Sequence, residues 1–421
     1  MKPKSEFSRN VLTLMTGTTI AQAIPIAISP ILTRIYTPED FGVFAFFISI
    51  VAIFGSISSA RYEQAILLPI SEEDSFHIFA LGFLLITFLS LFLLLLVFVF
   101  ESCIVNIFQN QELAFFMYFV PITVFVVGLF NLLNYFNNRK REYSDMAKAS
   151  VLKAVVLALT QVSIGFIKEG AHGLITGQIL SQAAANVKLA KNIFRNKKFL
   201  EIFNLKKMKR VAVEHRRFPK FQVPHVLLST TSSNLPVYIF TSFFSTTITG
   251  FYSLAIRIVL TPMMIIAGSS AKVYNERLSK RYENKEDTYS FSVEFLKNLS
   301  FKILPFIVLI AVFSPELFAF IFGEAWREAG TFTRILSPWL FLNVMVASIA
   351  FIPSLVGKQK KALNVSFVQL VLVLGAMGIG VVSENIYFTL LGFSIVNSIV
   401  LLYNLAWFLQ ELKTSTSQVE R

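Results

Sequence analysis

The sequence predicts an all-α integral membrane protein of about twelve transmembrane helices in two six-helix parallel repeats. Three observations lead there. Hydrophobic residues make up 55% of the 421 and charged residues only 15%, with mean hydropathy +0.64; a soluble chain of this size would carry about 25% charge. Apolar runs of about twenty residues, enough to cross a bilayer, alternate with short polar connections. One loop-to-helix unit occurs twice, once on each side of a basic segment in mid-chain.

Taken in order, Lys2, Lys4 and Arg9 precede a first span, Val11 to Leu32. Its apolar run continues past Ala21-Gln22-Ala23, so it reads as a retained helix rather than a removed signal. Thr18, Gln22, Pro25 and Ser29 share one face of it, as expected of a face turned to a bundle interior or to water. The second span, Phe41 to Ala60, has no ionisable residue. Thr37 is its candidate N-cap, Pro38 its first turn, and Glu39 and Asp40 sit on the positive end of its dipole. Arg61, Tyr62 and Glu63 close it. The third, Phe76 to Phe100, is polar only at His77, Thr87 and Ser90 and reads as lipid-facing. Leu113 to Phe136, Ala149 to Ile167 and His172 to Ala190 follow, the fifth carrying Lys153 about one turn in. The second half holds Val223 to Phe244, Phe251 to Ala271, roughly Leu299 to Ile321, Phe332 to Val356, Leu363 to Val382 and Ile386 to Leu409. A basic loop is expected from Lys272 to Lys302.

Charge placement orients the chain. With the N-terminus inside, 32 of the 38 Lys and Arg fall on inner segments. Only Arg34, Lys168, Arg327 and Arg334 fall outside, and Lys153 and Arg257 lie within helices. Basic residues mark cytoplasmic loops, so both termini are expected in the cytoplasm of a multi-pass inner-membrane protein. The division is an N-terminal lobe over 1–191, a basic linker over 192–222 and a C-terminal lobe over 223–421. The repeat is carried by the short outer loop ending in Gly42-Val43-Phe44 and its counterpart Thr246 to Tyr252, each following a polar, proline-containing helix. An even number of helices per half makes the repeats parallel.

Composition also excludes. The formal charge of +13 sits between apolar blocks rather than on a soluble face, which argues against nucleic acid as a partner. A single cysteine, Cys103, allows no internal disulfide, and four scattered histidines offer no metal-ligand spacing, so no metal and no cofactor is expected. There is no P-loop. The longest polar segment, about thirty basic residues, is too small for the catalytic domain of a glycosyltransferase, so the chain reads as a transporter rather than an enzyme.

Four stretches carry a family resemblance: LTRIYTPEDFGVF (Leu32 to Phe44), ARYEQAILLP (Ala60 to Pro69), GFYSLAIRIVLTP (Gly250 to Pro262) and FGEAWREAG (Phe322 to Gly330). They resemble the O-antigen (Wzx-type) polysaccharide flippases of the multidrug/oligosaccharidyl-lipid/polysaccharide exporter superfamily. The resemblance implies two lobes around a central cationic cavity and outward movement of an undecaprenyl-pyrophosphate-linked oligosaccharide by alternating access. It further implies membrane lipids and a polysaccharide polymerase as partners. The related lipid II flippases have fourteen helices and several arginines in the first two spans, which this chain lacks. Drug exporters of the superfamily, the other reading, use buried carboxylates; the spans here hold only Glu316, near an outer end.

On that resemblance, a pyrophosphate crossing a low-dielectric bundle needs compensating cations. Arg257, roughly 10 Å into its helix, is the leading candidate. Arg61 stands at the cytoplasmic mouth, with a pair to Glu63 as the alternative. Arg34 stands at the outer exit, with a pair to Glu39 or Asp40 as the alternative. Lys153 either snorkels or lines the cavity. Gln22 on the polar face of the first span and Ser229, Ser233 and Asn234 of the Ser229–Asn234 run would bind sugar hydroxyls, or else pack helices. Trp326, in an outer loop, is expected in the interfacial aromatic belt, with a sugar platform as the alternative.

Overall fold

A computed structural model describes residues 6–100, 111–194 and 204–417; within them the chain is almost entirely helical and contains no strand. The helices are α1 (Glu6–Ala27), α2 (Ser29–Ile35), α3 (Pro38–Ile57), α4 (Tyr62–Ala65), α5 (Glu72–Val99), α6 (Gln111–Met117), α7 (Val120–Arg139), α8 (Tyr143–Gly165), α9 (His172–Phe194) and α10 (Leu205–Glu214). They continue with α11 (Val223–Phe243), α12 (Thr246–Ala255), α13 (Thr261–Glu283), α14 (Thr288–Phe322), α15 (Arg327–Ile349), α16 (Ile352–Leu355), α17 (Gln359–Val382) and α18 (Ile386–Ser417). Much of the outer connection expected after the third span lies outside the described residues.

Ten helical stretches among the described residues are long and apolar enough to cross a membrane. Helices α9 and α11 are 23 and 21 residues long but fall short in hydropathy. The cause is legible: Gln178, Gln182, Asn186 and Lys188 dilute α9, and the Ser/Thr/Asn run dilutes α11. The expected count of twelve depends on including these two.

Local chemistry sets the boundaries. Thr37 caps α3 with a full capping box: its Oγ1 accepts from the Asp40 amide at 3.2 Å, and Asp40 Oδ2 accepts from the Thr37 amide at 2.8 Å. Ser71 caps α5 ahead of three acids, Glu72, Glu73 and Asp74. The first span is not one rod: α1 ends at Ala27 and α2 restarts at Ser29, whose hydroxyl donates to the Pro25 carbonyl at 2.7 Å. Proline at 25 and again at 30 removes amide donors on both sides of that joint.

The basic segment expected as a loop from Lys272 to Lys302 is mostly helix. Only 284–287 separate α13 from α14, and Lys285 turns the chain with φ +60°. Aromatic packing explains the extension. Tyr274 stacks on Phe291 and Phe295 at centroid distances of 5.7 and 4.5 Å and shares a 2.7 Å hydrogen bond with Ser292. With 35 residues, about 50 Å at 1.5 Å per residue, α14 exceeds the ~30 Å hydrocarbon core.

The chain forms two compact units, Met1–Gly250 and Phe251–Arg421. In the first, α9 packs along α8, α1 lies on α8, and α5 packs on α7. The region next to Arg61 is well filled, with Tyr62, Ala65, Ile66, Leu132, Phe136 and Val211 buried together. In the second, α15 is the buried centre, packed by α13, α14 and α18. Helix α11 and the start of α12 belong to the first unit because α11 lies along α3.

Candidate functional site

The two loop-to-helix units meet. A Cβ built on Gly42 would overlap the Thr246 carbonyl oxygen, and one on Gly250 would overlap the Pro38 carbonyl oxygen. The first turns of α3 and α12 therefore touch backbone to backbone, an approach that only glycine permits. Around this contact Thr246 Oγ1 donates to Glu39 Oε1 at 3.3 Å, and Thr241 and Thr249 share a hydroxyl hydrogen bond of 2.8 Å. The α12 start is capped by Ser245, whose Oγ accepts from the Ile248 amide at 3.2 Å. One to two turns further along α3, Tyr238 meets Phe46 edge-on and donates to the Ser49 carbonyl at 2.9 Å.

Burial then falls along α11. Pro236, Val237 and Phe240 are buried, whereas His225, Leu228, Ser229 and Ser233 are exposed. The polar run is self-satisfied: Ser233 donates to the Ser229 carbonyl at 2.9 Å and Asn234 to the Thr230 carbonyl at 2.9 Å. Each still offers lone pairs or a second amide hydrogen to a ligand. Gln22 is likewise exposed on α1. The first unit is thus closed at the Thr37 end of α3, and toward Val223 α11 presents exposed hydroxyls.

The four cations have different surroundings. Arg34 is exposed in the last turn of α2, and no carboxylate of the described residues lies within 4 Å of it. The pair with Glu39 or Asp40 is not formed, because Asp40 is committed to the cap and Glu39 to Thr246. Arg61 does pair with Glu63, at 3.2 Å. Glu63 is 3% exposed and also accepts from the Ser59 hydroxyl. The backbone there is left-handed at two successive residues, Ala60 (φ +50°) and Arg61 (φ +65°), which non-glycine residues rarely adopt. Arg61 Nε remains buried without a hydrogen-bond partner, a donor held in reserve. Lys153 places its ammonium 4.9 Å from the Phe130 ring centroid.

Arg34 and Arg61 stand at opposite ends of α3, about 30 Å apart by helix rise, so they form no common pocket. Arg257, in the second unit, lies on a π-helical turn, Ile256–Leu260, inserted between α12 and α13. Such bulges widen a helix by one residue and cluster at functional sites.

Several features escape sequence reading. Trp326 is not a belt residue: it is 1% exposed and packs edge-on against Phe251 at 6.2 Å. The short 3-10 turn Glu324–Trp326 folds it inward. Gln161 is 1% exposed, its side chain donating to the Leu174 carbonyl at 3.3 Å while its own backbone carbonyl accepts from Tyr36 at 2.6 Å. Glu112 accepts from the Ala171 amide at 2.9 Å; burial, and then Asp40 and Glu39 nearby, push its carboxyl above the usual range. Only a carboxylate at the start of a helix signalled it in the sequence. No group of three or more His, Cys, Asp or Glu able to hold a metal occurs among the described residues.

The family described as "Polysaccharide biosynthesis protein" matches residues 31–331. Comparison with curated protein sequences finds no match. Among solved structures the fold is similar to the lipid II flippase MurJ in an inward closed conformation (TM-score 0.68, 14% identity, covering 97% of this chain and 89% of that one). It is also similar to the inward-facing conformation of a multidrug resistance MATE family transporter of the MOP superfamily (TM-score 0.63, 15% identity, 96% of each chain). A third is a MOP superfamily transporter from Pyrococcus furiosus (TM-score 0.55, 14% identity, 96% of each chain).

Proposed function

The chain belongs to the polysaccharide biosynthesis protein family, and from that premise we propose that it flips undecaprenyl-pyrophosphate-linked oligosaccharide across the cell inner membrane. The cargo is an O-antigen repeat unit or a related surface polysaccharide, moved from the cytoplasmic to the outer leaflet and delivered to a polysaccharide polymerase. Twelve spans, with α9 and α11 counted and both termini cytoplasmic, place the Thr37 end of α3 outside. The observation that supports the reading is the backbone contact of Gly42 and Gly250 at that end, with α11 exposing hydroxyls on the far side of Pro236. In this reading the first unit is closed at its outer end, and the exposed hydroxyls of α11 face the cytoplasmic side, where cargo is loaded.

Arg61 then meets the pyrophosphate at entry, and Arg257 holds it within the membrane. Ser229, Ser233, Asn234 and Gln22 bind sugar hydroxyls. Release requires the α3–α12 contact to part, which exposes Arg34 to the departing headgroup. The ordering energy comes from an ion gradient rather than from ATP bound to this chain. A second reading, export of an organic cation, draws on the multidrug fold neighbour. Proteoliposomes offered radiolabelled lipid-linked oligosaccharide in one arm and a fluorescent organic cation in the other test both. Protection of the labelled oligosaccharide only with functional protein is the expected result; cation uptake without oligosaccharide movement overturns it.

A further inference from the structure

The basic linker has two faces with different chemistry. One face of α10 is fixed to the bundle. Val211 is fully buried, Tyr62 donates to the Ala212 carbonyl at 2.9 Å, and the Asn204 amide donates to His77 Nε2 at 3.2 Å. Lys207 pairs with Glu73 and Arg210 with Asp74, while Lys140 of α7 takes Glu72. All three acids of the first turn of α5 are therefore already neutralised. Helix α10 is docked against the first turn of α5.

The opposite face is unspent. Lys206, Lys209 and Val213 follow one another at i, i+3 and i+7, on the side of the helix away from Val211. All three are exposed, and Leu205 beside them is 65% exposed. Arg216, Arg217 and Lys220 continue the exposed basic run, with Phe221 at 62%. No carboxylate of the described residues lies within 4 Å of any of these five cations. A face that mixes lysines with exposed aliphatic and aromatic side chains is poorly suited to water alone. It fits a boundary with phosphates above and acyl chains beneath.

We propose that α10 and the turn after it form a binding element for anionic phospholipid headgroups. Lys206, Lys209, Arg216 and Arg217 contact phosphates, and Leu205, Val213 and Phe221 reach the acyl boundary. The inference goes beyond the transport reading and does not depend on the cargo. Because the other face of α10 holds α5, lipid charge at the inner leaflet would bear directly on that clamp.

The test uses the full chain in nanodiscs of phosphatidylcholine alone or with about one third phosphatidylglycerol. Cys103→Ser removes the native thiol, and Val213→Cys carries an environment-sensitive fluorophore. The expected result is a blue-shifted emission, quenched by lipid-borne nitroxides, that grows with phosphatidylglycerol and weakens with salt. Lys206→Gln with Lys209→Gln should raise the phosphatidylglycerol fraction needed by about fivefold or more. Lys280→Gln with Lys285→Gln, at the α13–α14 turn, should leave it unchanged. Amide exchange over 204–222, at least about fivefold slower in anionic discs, covers the case in which the label disturbs the helix. An emission and exchange rate equal in both disc types overturns the proposal, as does an equal loss of response in the 280/285 control.

Discussion

The starts of α3 and α12 are the same device built with opposite electrostatics. Each begins after a polar, proline-containing helix, each is capped by a hydroxyl, and each contributes the glycine at which the backbones touch. The first carries Glu39 and Asp40 at its mouth and then runs to Ile57 without a charge. The second has no acid, and within ten residues its helix widens into a π turn bearing Arg257. The contact is thus symmetric in packing and asymmetric in charge. On the transport reading proposed above, the anionic start would repel a departing phosphate and Arg257 would retain it.

The largest expected effect comes from locking the contact. Cysteines at Thr37, the cap of α3, and Thr247, in the first turn of α12, lie at the two facing helix starts, and Glu39 with Thr246 offers the side-chain pair already in contact at 3.3 Å. In a Cys103→Ser background, either cross-link should stop transport, and reduction should restore it. Transport that continues with the cross-link quantitatively formed would place the moving gate elsewhere.

Next is the charge half of the comparison. Arg257→Ala should lower flipping at least tenfold at unchanged membrane abundance, the loss of one charge-assisted phosphate contact. Arg257→Lys should keep part of it, since a point charge replaces a planar fork. Full activity of the alanine variant in the oligosaccharide assay would remove Arg257 from the cargo path.

The packing half predicts a smaller, graded response. Gly42→Ala or Gly250→Ala forces backbone against backbone and should cost about 1–3 kcal/mol of thermal stability in detergent. Gly55→Ala meets only a Val127 methyl at 3.1 Å, which can turn away, and should cost less than about 1 kcal/mol. Equal melting temperatures for all three would mean that the α3–α12 contact bears no load.

How much of this was readable beforehand follows from which signals are local. Thr37-Pro38-Glu39-Asp40 specified its cap outright, because a capping box needs only four consecutive residues. The pairing of Gly42 with Gly250 was readable only as a repeat; that their backbones touch is a long-range fact. The alternative pair for Arg34 does not form, because the two carboxylates nearby in sequence are engaged by closer donors, which sequence distance does not show. Trp326 was placed in the membrane interface on residue type alone, while a 3-10 turn folds it into the core. The Lys272–Lys302 segment looked like a loop because its surface is charged; the stack of Tyr274, Phe291 and Phe295 that holds it helical joins residues of two different helices.

The smallest effect concerns Glu112, whose carboxyl faces the acidic start of α3. Burial is the first cause of its raised pKa, the charges of Asp40 and Glu39 add to it, and the Ala171 amide opposes both. A carboxyl raised in the fold favours the protonated state, so its contribution to stability is complete below the ordinary glutamate value near 4.3 and is lost as pH rises through the raised one. Glu112→Gln keeps an oxygen for the Ala171 amide and removes the charge. The variant should therefore melt roughly 1–2 °C higher than the parent at pH 7, with the difference shrinking toward acid pH. Glu112 and the acids of the first copy would then be shown to act against one another at rest. If Glu112→Gln melts lower at pH 7, the carboxylate is instead held by a cation, and the charge asymmetry between the two helix starts is not stored as repulsion.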